Sequence, residues 1–229
     1  MSRFAELDFF RGSAIILMII YHIFFQLRFF GIYYVDIFNG AWYIFARSVA
    51  ITFLLLVGIS IVLSYDNRKS NFSNVYRGRM LFFVAVGISL VTLLTFSESA
   101  IYFGVLHFIA FSLLLSPLIV RLRIYPLALI SIFSITLGFW FKKLIIESEY
   151  LFWVGLRSST FKTFDFFPVF PWIGVVLLGM LLGKVYYRHA KSLEFMNFGL
   201  MNWFSRNSLL IYLIHNPVIY GVLKLVFKI

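Results

Sequence analysis

The chain has 229 residues, of which 62% are hydrophobic and only 13% charged, and it carries a formal net charge of +11. A soluble domain is nearer half apolar and a quarter charged, so this composition excludes a water-soluble globular fold and makes lipid the solvent. Cysteine is absent, which excludes disulfides, thiol catalysis and cysteine-held metals. The excess of Lys and Arg sits in short loops between apolar runs, where it orients a membrane protein rather than binding nucleic acid.

Apolar runs occupy 12–31, 42–65, 80–97, 101–120, 124–141, 168–187 and 207–227. Each can cross about 30 Å of hydrocarbon at about 1.5 Å per residue. Backbone groups in lipid must be satisfied within their own segment, so the runs are predicted to be helices. The expected fold is an all-α polytopic bundle of about seven transmembrane spans, one domain over residues 1–229. The first run is not read as a cleavable signal peptide, because Glu6, Asp8 and Arg11 precede it and no small-residue cleavage site follows Phe30.

The basic residues set the expected topology. One set of loops holds Arg3, Arg11, Arg68, Lys69, Arg77, Arg79, Arg121, Arg123, Lys184, Arg188, Lys191 and Arg206. The opposite set holds Lys142, Lys143, Arg157, Lys162, Lys224 and Lys228, with Arg28 and Arg47 near or inside the spans. The richer side is expected to be cytoplasmic, giving a cytoplasmic N-terminus, an outer C-terminus and an odd number of spans. The one long connection, roughly 142–167, then lies outside. It mixes Glu147, Glu149, Tyr150, Phe152, Trp153 and Asp165, and its length suits a re-entrant or surface-lying lid.

Three histidines fall inside the runs: His22 in the first, His107 in the fourth and His215 in the seventh. Counted from the run ends, all three lie near mid-membrane, where an ionisable side chain is costly and points to function. A neutral imidazole bonded between helices explains any one of them. Three at one level on three helices favour a site. Arg11 and His22 are eleven residues apart, so they share one face of the first helix about 16 Å apart along its axis. Asp8, three residues before Arg11, can hold the guanidinium. One stripe thus offers a cation at the surface and an imidazole in the membrane, matching the anionic phosphates and distant thioester of an acyl-CoA. Arg47 either snorkels outward or faces a cavity and binds an anionic group. Gly174, Gly179 and Gly183 read as close-packing positions of the sixth span.

Four stretches carry a resemblance. They are Glu6-Leu7-Asp8-x-x-Arg11-Gly12-x-Ala14 with Tyr21-His22, joined by Gly58-Ile59-Ser60 and Leu63-Ser64; Phe103 to Ala110; Asp165 to Gly174; and Arg206 to Pro217. In this order they resemble the catalytic domain of heparan-α-glucosaminide N-acetyltransferases and its prokaryotic relatives. The spacing of Arg11 and His22 is also similar to that of the membrane acyltransferase-3 family, which modifies cell-surface sugars. The resemblance implies a transferase of a prokaryotic cell membrane that takes an acetyl or other acyl group from cytoplasmic acyl-CoA. No metal is implied, and the acceptor would be a sugar or other group reached from the outer side. Its partners would be membrane lipid, acyl-CoA and a sugar-containing acceptor but no nucleic acid, with oligomerisation open.

In that picture His22 deprotonates the acceptor or carries the acyl group, and His107 and His215 line the same cavity as further catalytic residues. Asp8, Arg11 and Arg47 bind the donor; Asp165 and Asn216 bind the acceptor. The chain departs from the animal lysosomal enzymes, which have asparagine in place of His22 and a histidine in the first outer loop. Here that loop has Tyr33, Tyr34, Asp36 and Asn39, so heparan sulfate does not carry over as the acceptor. Two other readings are a transporter or flippase using the histidines as a proton relay, and a non-catalytic membrane partner.

Overall fold

The computed structural model describes residues 4–37, 39–68, 72–96, 99–146 and 150–228. Arg3, Lys69, Glu147 and Glu149 lie outside the described residues, as does the side chain of Arg68. Among the described residues eight α-helices follow one another: α1 (Ala5–Phe29), α2 (Gly40–Arg68), α3 (Phe72–Thr95), α4 (Val105–Ile119), α5 (Ile124–Phe141), α6 (Val169–Leu182), α7 (Gly199–Arg206) and α8 (Ser208–Phe227). Among the described residues there is no strand, only isolated bridges joining Phe103 to Phe166 and Ile145 to Arg157. Six helices are long and apolar enough to cross a membrane: α1, α2, α3, α5, α6 with its π-helical continuation to Tyr187, and α8. Large apolar side chains such as Leu94 and Leu225 stand 87% and 82% exposed, as lipid-facing positions do. The protein is an integral membrane protein.

The chain forms two compact units, Met1–Phe53 with Lys191–Ile229, and Leu54–Ala190, with α2 contributing to both. In the first unit α1 packs on α7 and α8. The helix starts seven residues before the apolar run, with Glu6 and Asp8 in its first turn, where acidic groups favour the N-terminal dipole. It ends in a Schellman turn. Gly31, at φ +69°, lets its own N–H reach the Arg28 carbonyl and that of Ile32 reach the Leu27 carbonyl, each at 2.9 Å.

Along this pair the contacts rise together: Asp8 meets Ser205, His22 meets His215, Gln26 meets Asn216 and Phe30 meets Tyr220. The first and last spans therefore run parallel. Successive spans alternate in direction, so a parallel first and last span require an odd total. The eight-residue α7 is too short to cross, and the count becomes odd only if α4 crosses too. Crossing by α4 as well as by the six long helices would give the seven spans expected from the sequence. At 15 residues α4 covers about 22 Å. The preceding segment 101–104, expected to be helical, is instead irregular and bonded within the protein, which lipid tolerates only under such cover.

In the second unit α6 is the central helix, with Val176, Leu177 and Met180 no more than 1% exposed. Gly58 of α2 and Gly179 of α6 let the two backbones touch: a Cβ on Gly58 would stand 2.7 Å from the Met180 nitrogen, and one on Gly179 2.9 Å from the Leu55 carbonyl carbon. Ser131 of α5 donates to the Gly174 carbonyl at 2.7 Å. Beyond α6 the π-helical turn Gly183–Tyr187 buries Lys184, whose ammonium donates to the carbonyls of Val120 at 2.6 Å and Leu122 at 2.5 Å. It thereby satisfies carbonyls at the end of α4 that have no helical partner. The long connection packs against the segment that precedes α4. Phe152 and Phe161 stack on each other and meet the Tyr102 ring, Phe166 meets Phe161, and the Phe164 and Phe167 N–H groups donate to the Ser99 and Phe103 carbonyls.

Candidate active site

The first unit gathers polar groups at two levels of α1. At the start of the helix, Ser205 of α7 donates its hydroxyl to Asp8 Oδ1 at 2.6 Å, and Arg11 donates to Ser205 Oγ at 3.3 Å. Arg11 and Asp8 lie 3.5 Å apart, the guanidinium a quarter exposed and the carboxylate 9%. The carboxylate and hydroxyl therefore fix a cation whose charge still reaches solvent. One turn earlier, buried Glu6 accepts the Leu193 N–H at 2.9 Å, and Ser192 accepts that of Ala5 at 2.9 Å. These bonds tie the start of α1 to the chain leading into α7.

Eleven residues on, the His22 ring meets the His215 ring edge-on, with centroids 4.7 Å apart and planes at 65°. Tyr21, Phe25 and Tyr212 supply rings around the pair. His215 is 5% exposed, and its Nδ1 lies 2.6 Å from the Tyr212 carbonyl. A carbonyl only accepts, so Nδ1 carries the proton and a neutral ring keeps its lone pair on Nε2. That nitrogen is buried without a hydrogen-bond partner among the described residues. A turn further along α1, Gln26 donates to Asn216 at both its backbone oxygen and Oδ1, each at 3.1 Å.

Arg47 lies over the Tyr43 ring at 5.1 Å in the α2 part of the first unit. His107 and Asp165 belong to the second unit. His107 is the third residue of α4, nearer that helix end than a count from residue 101 places it. Its Nε2 is 3.2 Å from Ser89 Oγ, which itself lies 2.5 Å from the Ile101 carbonyl. The one Ser89 proton goes to that carbonyl, so His107 is the donor to Ser89. The ring also lines an apolar cavity of about 430 Å³ with Phe82, Phe103 and Phe111. Asp165 accepts the Val105 N–H at 2.8 Å, capping the start of α4.

Residues 3–217 match the heparan-alpha-glucosaminide N-acetyltransferase catalytic domain. The chain belongs to that family. No curated protein and no solved structure matches it significantly. As a member of the heparan-alpha-glucosaminide N-acetyltransferase catalytic family it stands among membrane transferases, and the match runs from before Asp8 to beyond Asn216. The resemblance in its motifs is thereby confirmed over nearly the whole chain.

Within this acetyltransferase-family unit the fold joins Asp8 to Arg11, as their spacing on α1 anticipates, and brings His22 against His215. Ser205 and Gln26 are not singled out by the sequence reading. Gln26 stands four residues after His22 on the same helix face, a signal available from periodicity but masked by its lack of charge. Ser205 gives no such signal, because its role depends on the turn of α7.

Proposed function

We propose that the protein is an acyl-CoA-dependent acetyltransferase, taking donor at the cytoplasmic face and acetylating an amine or hydroxyl of a sugar-type acceptor from the outer side. The observation that supports this most is the single α1 stripe. It carries the Asp8–Arg11–Ser205 cluster at one level and the His22–His215 pair about 16 Å along. That spacing suits a donor whose anionic phosphates and thioester lie at opposite ends. Arg11, held by Asp8 and Ser205, is the phosphate contact, and the Lys and Arg distribution supports a cytoplasmic position for its end of α1.

At the other end an imidazole of the pair takes the proton from the acceptor as its oxygen or nitrogen attacks the thioester carbonyl. The C–S bond then breaks, and the same imidazole returns the proton to the leaving thiolate. Direct transfer and passage of the acyl group through His22 both conserve atoms and use the same two rings. The transporter alternative gains no support from α8, which runs as one helix through Pro217.

The test is calorimetric binding of acetyl-CoA to the purified protein, with Arg11→Ala and His22→Ala beside it. Binding weakened by Arg11→Ala but kept by His22→Ala is the expected result. No binding of acetyl-CoA or longer acyl-CoAs by the wild type would sink the reading.

A further inference from the structure

Gln26 is 8% exposed in the last turn of α1, a membrane-spanning helix, and a buried amide there needs a reason. Its Nε2 bonds the Asn216 backbone oxygen, and because a carbonyl only accepts, this contact fixes which way the amide points. The oxygen Oε1 is then left buried with no partner among the described residues. His215 repeats the pattern one rung away on the same α1–α8 seam. Its Nδ1 proton is used on Tyr212, and Nε2 is a bare, buried acceptor. Buried acceptors without donors are costly and rare. Two of them on adjacent rungs call for the same kind of partner, a group rich in hydrogen-bond donors.

We propose that Gln26 Oε1 and His215 Nε2 together recognise the nucleophile of the acceptor, which therefore presents at least two N–H or O–H donors, as an amino sugar or a vicinal diol does. This rests on the acetyltransferase reading above. His215 Nε2 receives the proton that leaves the nucleophile as its bond to the acyl carbon forms, and gives it to the CoA sulfur as the C–S bond breaks. Gln26 Oε1 accepts the second donor and orients the attacking atom. Gln26 is thus a binding residue that selects against acceptors with a single donor or none.

The test uses the full chain in detergent with acetyl-CoA as donor and two probe acceptors, glucosamine and methyl α-glucoside. Gln26→Met removes the acceptor oxygen and the Asn216 bond together. Gln26→Glu keeps an acceptor oxygen but loses the amide donor to Asn216. Gln26→Met is expected to raise the KM of the acetylated sugar about fivefold to tenfold while leaving acetyl-CoA affinity unchanged. Gln26→Glu should recover most of that loss. Equal impairment in the two variants would show that only the Asn216 bond counts and would overturn the proposal. A wild type that binds acetyl-CoA yet acetylates neither sugar would overturn it too, leaving the donor site standing. A wild type that binds no acetyl-CoA would instead remove the transferase reading on which it rests.

Discussion

Ser205 and Asp8, 197 residues apart in sequence, are joined by a 2.6 Å hydrogen bond in which the serine hydroxyl donates to the carboxylate. The same serine oxygen accepts from Arg11, so one hydroxyl links the anion and the cation of the proposed donor site. Asp8 is 7% exposed, and a buried carboxylate that loses its donor is left short of compensation. Ser205→Ala should therefore weaken acetyl-CoA binding about tenfold although no charge changes. Calorimetric titration checks this, and an unchanged Kd would detach α7 from the donor site.

His22→Ala and His215→Ala should each lower turnover by at least about a hundredfold, the usual scale for losing a general base. Acetyl-CoA binding and a monodisperse elution profile should be retained. If either variant turns over at the wild-type rate under saturating donor, that ring has no part in the chemistry.

The second unit makes a prediction about stability alone. Lys184 is 8% exposed and satisfies the Val120 and Leu122 carbonyls, whereas Arg188 makes a half-exposed pair with Asp66 at 2.7 and 3.0 Å. Lys184→Met strands two carbonyls and should cost about 1–3 kcal/mol. Arg188→Met gives up a solvent-screened pair and should cost about 1 kcal/mol or less. Thermal unfolding of both variants in the same detergent should rank them in that order.

Gly179→Val should be worse than either, since its side chain would meet the Leu55 backbone rather than a side chain able to move. Overpacking of this kind costs about 1–3 kcal/mol and often more. A loss of purified, folded protein relative to Lys184→Met is the expected outcome.

The spans were legible because lipid imposes one simple rule, and the run 124–141 coincides with α5 to the residue. Helix ends were less so. α3 begins at Phe72, well before its apolar run, because Arg77 and Arg79 can remain helical in water or headgroups. α7 was missed: eight residues with Leu200 and Trp203 exposed make a surface helix, for which hydropathy has no signal. At the site, helical periodicity put Arg11 and His22 on one stripe of α1 and Asp8 within reach of Arg11. It could not say which of two other histidines would face His22, since that depends on which helices pair. Glu6 shows the same limit, for its partner Leu193 is a backbone group that no motif reveals.

The parallel pairing of α1 with α8 has a consequence for how the protein comes into being. His22 and His215 stand 193 residues apart, so nearly two hundred residues must be synthesised after His22 before the two rings can meet. A chain stalled or truncated before α8 would hold most of its spans in the bilayer and keep the Ser205 link, yet lack the ring pair. On the proposed mechanism, transfer therefore waits for α8, and copies lacking it would not consume donor.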